Sequence, residues 1–400
     1  MKKPKHILVL SYWPLEDALI QAYTLPYLRI IRSILPEGSS IRLLTLEKSG
    51  EAKTEYLLEE GIFHFSFALY PFGRKAASSW IGNIFRLRKI IRQNKIETIH
   101  TWCTPAGAIG WILSVLTRRE LVLDSYEPHA EAMVENGTWK KNGFAYRILF
   151  FLEKRQTFRA KWLIAAAPGM REYSRNKYGF KPNYIFVKPA CTDLEKFNLS
   201  HRKNPELVHS LGLENKIVAV YAGKLGGIYL REEVFRFFAV AARSWGERFR
   251  VLMLGNTSGE EIEALAKAAG VNPAVILTRF VAHKEIPDWI GLGDFALTPV
   301  KPVPTKKCCS PVKDGEYWAL GLPVLITKDI SEDSEIIASS QAGVVLENLS
   351  DEEMQRAVEE MDALLQQNAD GKLSTSIHEL AVKHRNFKIA EDIYRKIYEA

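Results

Sequence analysis

A short predicted helix that begins near residue 311 has the residue types expected at an anion-binding site. Ser310 is a favourable N-cap, and Pro311 suits the first helical position, where a missing N–H costs nothing. The first N–H groups of such a helix, around Val312, have no partner inside the helix and attract negative charge. Lys313 adds a cation in the first turn, where the helix dipole otherwise disfavours one. The pattern therefore predicts an anion site, and phosphate is the anion that it favours.

Glu316 lies three residues after Lys313, which places both side chains on one face of the predicted helix. From there its carboxylate can accept hydrogen bonds from two sugar hydroxyls while phosphates occupy the helix start. Gly321 provides the left-handed residue that ends the helix, and Pro323 prevents its continuation. The same spacing also suits a simple ion pair between Lys313 and Glu316, and spacing alone does not separate the two interpretations.

The segment S-P-x-K-x-x-E-Y-x-A-x-G-x-P-V, which starts at Ser310, resembles the donor-binding segment of retaining glycosyltransferases with the GT-B fold, of the family 4 (group 1) type. The resemblance implies that the helix N-terminus binds the nucleotide diphosphate of a sugar donor and that Glu316 binds the ribose. Many members have a second Glu eight positions earlier, where this chain has Cys308. No catalytic or sugar-binding role is therefore transferred to position 308.

A glycine-rich loop follows the predicted strand 217–221. Gly223 permits close backbone approach to a ligand, and Lys224 adds a cation. The loop resembles the G-[RK]-L segment of the same family, whose basic residue neutralises the departing diphosphate. The resemblance also places Arg279 in a loop near the donor base. A simple turn with a solvated lysine would have the same composition.

A polar loop follows the predicted strand 120–123. Asp124, Glu127 and His129 come together there, at the carboxyl end of a strand, where α/β folds place their chemistry. In the resembling family a His near this point faces the reacting carbon of the donor, and the resemblance assigns that role to His129. The alternative is a His that caps or packs against its own loop.

Predicted strands and helices alternate along the chain in two successive series. This alternation favours an α/β fold of two doubly wound, Rossmann-like parallel-sheet domains that face one another across a cleft, as in GT-B enzymes. We expect an acceptor-binding domain over residues 1–198 and a donor-binding domain over 199–375. The polar stretch 200–206 suits a linker. The resemblance implies that a closing helix, within 376–400, crosses back to the first domain.

Composition and charge limit the class of protein. With 47% hydrophobic and 25% charged residues, and no apolar run of about 18 residues, the chain is expected to be soluble. Its four cysteines form neither a disulfide framework nor a metal motif, which favours a cytoplasmic location. Residues 1–200 hold 30 Lys and Arg against 18 Asp and Glu, whereas residues 201–400 hold 24 against 29.

The basic first half is expected to contact an anionic acceptor or anionic lipid, and no nucleic-acid partner is expected. The predicted helix 75–95 has an apolar side that includes Ile84 and Ile91, with several Arg and Lys elsewhere. Such a helix can lie on the inner face of a membrane. It can equally pack on a sheet with its charges in water.

Together these residues predict a glycosyltransferase that moves a sugar from a UDP- or GDP-sugar to a hydroxyl of a glycan, glycolipid or small molecule. His129, Lys224 and Glu316 are the predicted catalytic residues. Lys224, Lys313 and the helix N-terminus would neutralise the departing diphosphate. The chain has no D-x-D motif, so neither a metal nor another cofactor is expected. Retention of configuration, by front-face attack, is implied by the resemblance alone.

Two other classes of function suit parts of this pattern. A nucleotide-sugar epimerase or a phosphorylase-like enzyme would use the same pair of domains, but the sequence offers no acid/base pair and no separate phosphate or cofactor site. A non-catalytic protein that binds a nucleotide sugar and docks on a membrane would retain the cleft without turnover.

Overall fold

The computed structural model describes residues 3–17, 19–48, 51–70, 74–180, 185–282 and 284–399. The chain forms two compact units. Unit 1 comprises Met1–Lys188 together with Lys388–Ala400, and unit 2 comprises Pro189–Phe387. The domain boundaries and roles that the sequence suggests stay predictions.

In the described part of unit 1, eight strands form one sheet. They are β1 His6–Leu10, β2 Ser40–Glu47, β3 Tyr56–Glu59, β4 Ile62–Ala68, β5 Thr98–Trp102, β6 Glu120–Tyr126, β7 Trp162–Ala165 and β8 Ile185–Val187. Their order is β3-β4-β2-β1-β5-β6-β7-β8, and β3 is antiparallel to β4 whereas the other neighbours are parallel. The strand order reverses between β1 and β5, as in a doubly wound sheet.

The helices of unit 1 follow the strands in the expected alternation. They are α1 Leu25–Ile34, α2 Arg74–Gln93, α3 Thr104–Thr117, α4 His129–Glu135, α5 Phe144–Arg159 and α6 Gly169–Tyr173. Short π-helical turns, Ile20–Thr24 and Ser174–Tyr178, precede α1 and follow α6. Helix α3 contacts both α2 and α5, and α5 contacts α4, so these four helices form one layer.

Unit 2 contains, within its described residues, a sheet of six strands. They are β9 Ile217–Ala222, β10 Phe249–Leu254, β11 Ile276–Arg279, β12 Phe295–Thr298, β13 Val324–Thr327 and β14 Gly343–Leu346. All pairs are parallel, in the order β11-β10-β9-β12-β13-β14. The order reverses between β9 and β12, and ligands of doubly wound sheets bind at the carboxyl ends of the strands beside such a reversal.

Buried apolar side chains cover both faces of this second sheet. Its helices are α7 Pro205–Ser210, α8 Glu232–Trp245, α9 Gly259–Ala268, α10 Ile286–Ile290, α11 Val312–Ala319, α12 Asp333–Ser339, α13 Asp351–Gln367 and α14 Lys372–His384. Ala219 and Tyr221 of β9 join a core under α8, whereas Val218 and Val220 join a core under α11. This alternation follows the two-residue period of a strand. The predicted α/β class, with two doubly wound parallel sheets, is confirmed.

The stretch 200–206, predicted as a linker, is ordered within unit 2. Asn204 caps α7 by accepting from the backbone N–H groups of Glu206 and Leu207, and Pro205 occupies the first helical position. The Lys203 ammonium donates to the Leu292 carbonyl at 2.8 Å. The polar composition of residues 200–206 therefore reflects a helix cap and hydrogen bonds within unit 2.

The closing helix α15, Phe387–Tyr398, belongs almost entirely to unit 1. Its Tyr394 hydroxyl donates to Asp124 Oδ2 at 2.6 Å, and Lys188 Nζ lies 3.2 Å from Asp124 Oδ1. Burial alone would raise the pKa of Asp124, but the Lys188 ammonium and hydrogen bonds to the carboxylate hold it at about 2. Asp124 is therefore a core residue of β6. Its predicted place in the following polar loop is wrong, because its carboxylate pairs with Lys188 and accepts from Tyr394 of α15.

The end of α11 confirms the predicted glycine stop. Gly321 has φ +67°, its N–H donates to the Trp318 carbonyl, and the Leu322 N–H donates to the Tyr317 carbonyl. These two bonds form a Schellman motif, which satisfies the last carbonyls of the helix. Strand β13 begins three residues later, so the motif fixes the angle between α11 and the sheet.

We predict that Gly321→Ala lowers the free energy of unfolding by about 2–4 kcal/mol, because a side chain there is both strained and crowded. An added Cβ would lie 2.6 Å from the Ser374 carbonyl oxygen and 2.7 Å from Leu199 Cδ2. Gly371 is a matched control, since it has φ +74° but no atom within 4 Å of an added Cβ. Gly371→Ala is expected to cost about 1 kcal/mol. Urea unfolding measures both variants, and equal losses would contradict the prediction.

Candidate functional site

The first turn of α11 starts at Val312, with Pro311 as its N-cap residue. No side chain in the described part of unit 2 caps this turn. The prediction that Ser310 is the N-cap is wrong, because its Oγ accepts instead from the Ala190 N–H at 3.1 Å. The N–H groups of the first turn have no partner within the helix, and they coincide with the positive end of its dipole. This arrangement suits an anion.

Lys313 lies against the loop that follows β9. A Cβ at Gly223 would be 2.7 Å from Lys313 Cε and 2.9 Å from Nζ, and Gly223 has φ +137°. Only glycine therefore permits this contact. The ammonium also lies 3.7 Å from the ring centroid of Tyr229 and 5.6 Å from that of Tyr221. These rings hold the cation at the start of α11, as in other cation–π contacts.

The carboxyl ends of three neighbouring strands meet beside this lysine. The Gly223 N–H donates to the Leu254 carbonyl, and the Gly255 N–H donates to the Arg279 carbonyl. A Cβ at Gly255 would overlap the Gly223 carbonyl oxygen, so the loops after β9 and β10 are in direct backbone contact. Tyr317 fastens α11 to the same edge, since its hydroxyl accepts from the Ala222 N–H at 3.0 Å. The anion site thus lies beside the strand-order reversal of unit 2.

Glu316 is half-buried on α11, one turn after Lys313. Burial raises the pKa of Glu316 to about 7, against the lowering effects of Lys313 and Lys196. No ion pair within 4 Å joins Glu316 to Lys313 among the residues described, because Lys313 points towards Gly223 and Tyr229. The alternative of a simple intrahelical ion pair is therefore not what the structure shows. The carboxylate is available to accept hydrogen bonds from a ligand.

The other predicted ligand residues of unit 2 are exposed. Lys224 has an exposed side chain, and its carbonyl accepts from the Tyr221 hydroxyl at 2.6 Å. Arg279 ends β11, and its guanidinium lies 4.6 Å from the ring centroid of Trp289. The structure therefore brings Gly223, Pro311, Val312, Lys313 and Glu316 into one region, with Lys224 and Arg279 at the same sheet edge and Ser310 turned towards Ala190.

His129 belongs to unit 1, where it is the first residue of α4. Its backbone N–H donates to the Glu127 carbonyl at 3.0 Å, and its side chain is partly exposed. It follows β6 at the carboxyl end, as the sequence predicts, whereas Asp124 lies inside the sheet. Its assignment to the reacting carbon of a donor stays a prediction.

Glu153 is a buried residue near His129 that the sequence analysis missed. Its side chain, fully buried on α5, accepts from the Ala130 N–H at 2.8 Å and from the Tyr178 hydroxyl at 3.0 Å. Burial raises the pKa of Glu153 to about 8, although these hydrogen bonds lower it. The carboxylate therefore caps α4 from another helix, where Pro128 offers no side-chain acceptor.

Two more polar residues on the inner face of α5 hold neighbouring loops. Gln156 Nε2 donates to the Thr104 carbonyl at 3.2 Å, and the Thr157 hydroxyl lies 2.7 Å from the Tyr126 hydroxyl. With Glu153 they occupy positions i, i+3 and i+4, which share one helix face. Three uncharged or acidic polar residues at helical spacing, in a helix whose other residues are apolar or basic, are the signal that could have revealed this face.

Two family models match the chain. One, described as glycosyl transferases group 1, matches residues 216–363, and the other, described as glycosyl transferase 4-like domain, matches residues 27–191. The chain belongs to the group 1 glycosyltransferases. Its two parallel-sheet units have the GT-B fold of solved glycosyltransferases. The predicted group 1 family and the predicted class, a glycosyltransferase, are confirmed, whereas retention of configuration stays a prediction.

Proteins similar to this glycosyltransferase are distant in sequence, and the solved ones share its fold. An α-D-kanosaminyltransferase from Streptomyces kanamyceticus is 20% identical over 310 residues, which cover 74% of this chain and 75% of that protein. The sucrose-phosphate synthase of Thermosynechococcus elongatus has a TM-score of 0.76 at 13% identity, with 99% of both chains covered. The Anabaena protein HepE, solved with UDP, has a TM-score of 0.71 at 13% identity and covers 99% of this chain and 100% of its own.

We predict that Glu153→Ala lowers the free energy of unfolding by about 2–4 kcal/mol, because it leaves the Ala130 N–H and the Tyr178 hydroxyl buried without an acceptor. Glu153→Gln retains an acceptor oxygen and is expected to cost about 1 kcal/mol. Glu172, an exposed residue of α6, is the control position, where Ala changes the value by about 0.5 kcal/mol or less. Urea unfolding measures all three, and an Ala variant as stable as the Gln variant would contradict the capping role.

Proposed function

We propose that this glycosyltransferase transfers a sugar from a UDP- or GDP-sugar to a hydroxyl of a glycan, glycolipid or small-molecule acceptor. The observation that carries the proposal is the uncapped start of α11, with the Lys313 ammonium held beside Gly223. A diphosphate supplies the negative charge that this end of the helix lacks. The Anabaena neighbour HepE was solved with UDP and with UDP-glucose, which supports a nucleotide-sugar donor.

We propose roles for three other residues of unit 2 from their positions. Glu316, one turn along α11, is proposed to accept hydrogen bonds from two ribose hydroxyls, because its carboxylate is not paired with Lys313. Arg279, beside Trp289, is proposed to lie near the base. Lys224 is exposed on the loop after β9 and is proposed to neutralise the diphosphate as it departs.

We propose that transfer retains configuration and needs no metal. Lys224, Lys313 and the N–H groups of Val312 and Lys313 provide preorganised positive charge for the leaving diphosphate. The acceptor hydroxyl would attack from the face that the diphosphate leaves, and a phosphate oxygen would take its proton. His129 is proposed to stabilise the reacting sugar, because it stands at the strand end where the resembling family has its His.

Substitutions in the two units are expected to separate donor binding from turnover. Lys313→Ala and Glu316→Ala should each weaken UDP or GDP binding about tenfold, because each removes one charge-assisted contact. His129→Ala and Lys224→Ala should lower turnover by about a hundredfold or more. The His129 variant should retain nucleotide affinity. Lys267→Ala is the control, because this exposed lysine of α9 pairs with Glu263 four residues away.

Calorimetry with UDP and GDP measures binding, and release of nucleotide from a panel of UDP- and GDP-sugars measures turnover. Normal binding by both α11 variants would place the donor elsewhere and overturn the proposal. A His129→Ala variant with full turnover would remove His129 from the site.

We also propose that the protein acts in the cytoplasm at an anionic membrane face, through the outer surface of α2, α3 and α5. None of the helices in the described ranges combines the length and hydrophobicity of a membrane span. The outer face of α5 nevertheless exposes three aromatic side chains: Phe144, Phe151 and Phe158 are 75%, 50% and 53% exposed. Exposed aromatic residues at helical spacing form a patch that monomeric soluble proteins rarely leave uncovered.

The charge of this surface supports anionic lipid as its partner. Arg147, Lys154 and Arg155 lie among the exposed Phe residues of α5, and its single acidic residue, Glu153, points inwards. Helix α2 contains no acidic residue, and on it Ile81 and Phe85 are 62% and 65% exposed. Cations mixed with exposed aromatic side chains suit an interface with anionic lipid headgroups.

We predict that Phe151→Ser and Arg155→Glu each reduce binding to vesicles that contain phosphatidylglycerol by about threefold or more. Leu57→Ser is the matched control, because Leu57 is 59% exposed on β3 of the same unit but lies between Glu55 and Glu59. Co-sedimentation at about 50 and 500 mM salt measures the effect, which should weaken as salt rises. Equal binding to neutral phosphatidylcholine vesicles, or an equal loss for Leu57→Ser, would contradict the assignment.

A further inference from the structure

Two buried carboxyl groups meet beneath the first turns of α11 and α12. Asp314, the third residue of α11, is fully buried, and Asp333, the first residue of α12, is 1% exposed. Asp314 Oδ1 accepts from the Thr298 hydroxyl of β12. Asp333 Oδ1 accepts from the Arg385 guanidinium, which follows α14. All of these residues belong to unit 2.

The remaining oxygen of each carboxyl group, Oδ2, is buried. Asp314 and Asp333 interact through their side chains, and neither Oδ2 has a donor among the residues described. Two ionised carboxylates in this position would repel, and a single guanidinium would leave one buried negative charge uncompensated. One proton between the two oxygens removes both problems, since a protonated carboxyl donates to the other carboxylate.

The neighbours decide which residue keeps the proton. Arg385 pairs directly with Asp333 and stabilises its ionised form, whereas the nearest partner of Asp314 is the neutral Thr298 hydroxyl. Burial first, and then the charge of Asp333, raise the pKa of Asp314 well above its ordinary value. These neighbours favour Asp314 as the residue that keeps the proton.

We propose that Asp314 is a positioning residue, protonated at neutral pH, whose hydrogen bond to Asp333 fixes the first turn of α11. The consequence for nucleotide binding rests on the proposed function. Asp314 follows Lys313 directly and precedes Glu316 by two residues, so a shift of this turn displaces both. The turn has little freedom, because a Cβ on the intervening Gly315 would overlap Thr192 Oγ1.

Other titratable groups around the pair do not replace the proton. Arg385 and His384 approach from the end of α14, and Cys191 lies near the Arg385 guanidinium. Burial lowers the pKa of His384, so this residue is neutral at neutral pH. Tyr317 and Glu316 share α11 with Asp314. Among the described residues of unit 2, Arg385 is therefore the one permanently charged cation in these interactions with the pair.

The decisive comparison is Asp314→Asn with Asp333→Asn. An amide at 314 donates permanently to Asp333 and still accepts from Thr298, so UDP or GDP affinity should stay within about twofold of the unmodified protein. An amide at 333 removes the charge that pairs with Arg385, and the affinity should fall about tenfold. Asp314→Ala, which removes the hydrogen bond, should also lose about tenfold.

The pH dependence of unfolding gives an independent measurement. The folded protein retains a proton that the unfolded chain releases above its ordinary pKa, so this group's stabilisation falls as pH rises. Thermal unfolding from about pH 6 to about pH 10 should show a smaller decline for Asp314→Asn than for the unmodified protein. Glu153 and Glu316 titrate in both proteins, so the difference between their pH dependences of unfolding is due to Asp314.

The outcomes separate this inference from the proposed function. If the unmodified protein binds neither UDP nor GDP, the proposed function fails, while the unfolding comparison still decides where the proton lies. If the unmodified protein binds nucleotide but Asp314→Asn loses as much affinity as Asp333→Asn, or Asp314→Ala loses none, the positioning role is overturned. An unchanged pH dependence of unfolding in Asp314→Asn would overturn the protonated state.

Discussion

Unit 2 depends on how the first turn of α11 is held against the end of β9. Tyr317 ties the helix to the last residue of that strand, and Gly223 leaves room for the Lys313 side chain beside the backbone. The Schellman motif at Gly321 fixes the other end. A positive helix end that cannot move offers its N–H groups to an anion without reorganisation, which is what electrostatic stabilisation of a leaving group requires.

Helix α5 of unit 1 buries polar residues and exposes apolar ones, which is the reverse of an ordinary surface helix. Helix α5 turns Glu153, Gln156 and Thr157 inwards, towards the carboxyl ends of strands, and exposes Phe144, Phe151 and Phe158. Its apolar side chains therefore add little to the core of the unit. Two of these residues bond to backbone groups that follow β5 and β6: Gln156 Nε2 donates to the Thr104 carbonyl, and Glu153 accepts from the Ala130 N–H.

The sequence predicts the parts of this structure that are encoded locally. The apolar run of β1, the glycine stop at Gly321 and the anion-binding segment depend on neighbours within a few residues. The role of Ser310 could not be predicted, because its partner, Ala190, is 120 positions away. The same holds for Asp124, whose bond to Tyr394 spans 270 positions. The role of such a side chain depends on a partner that is distant in the sequence, and local spacing does not encode that contact.

The short antiparallel strand β3 has a consequence for how copies of the protein can associate. It occupies one edge of the eight-stranded sheet in the described part of unit 1, and it is four residues long. Glu55 and Glu60 flank it with exposed negative charge. Short, charged edges discourage the addition of a foreign strand. Self-association by continuous sheet extension is therefore disfavoured at this edge, and an oligomer of this chain is expected to form through other surfaces.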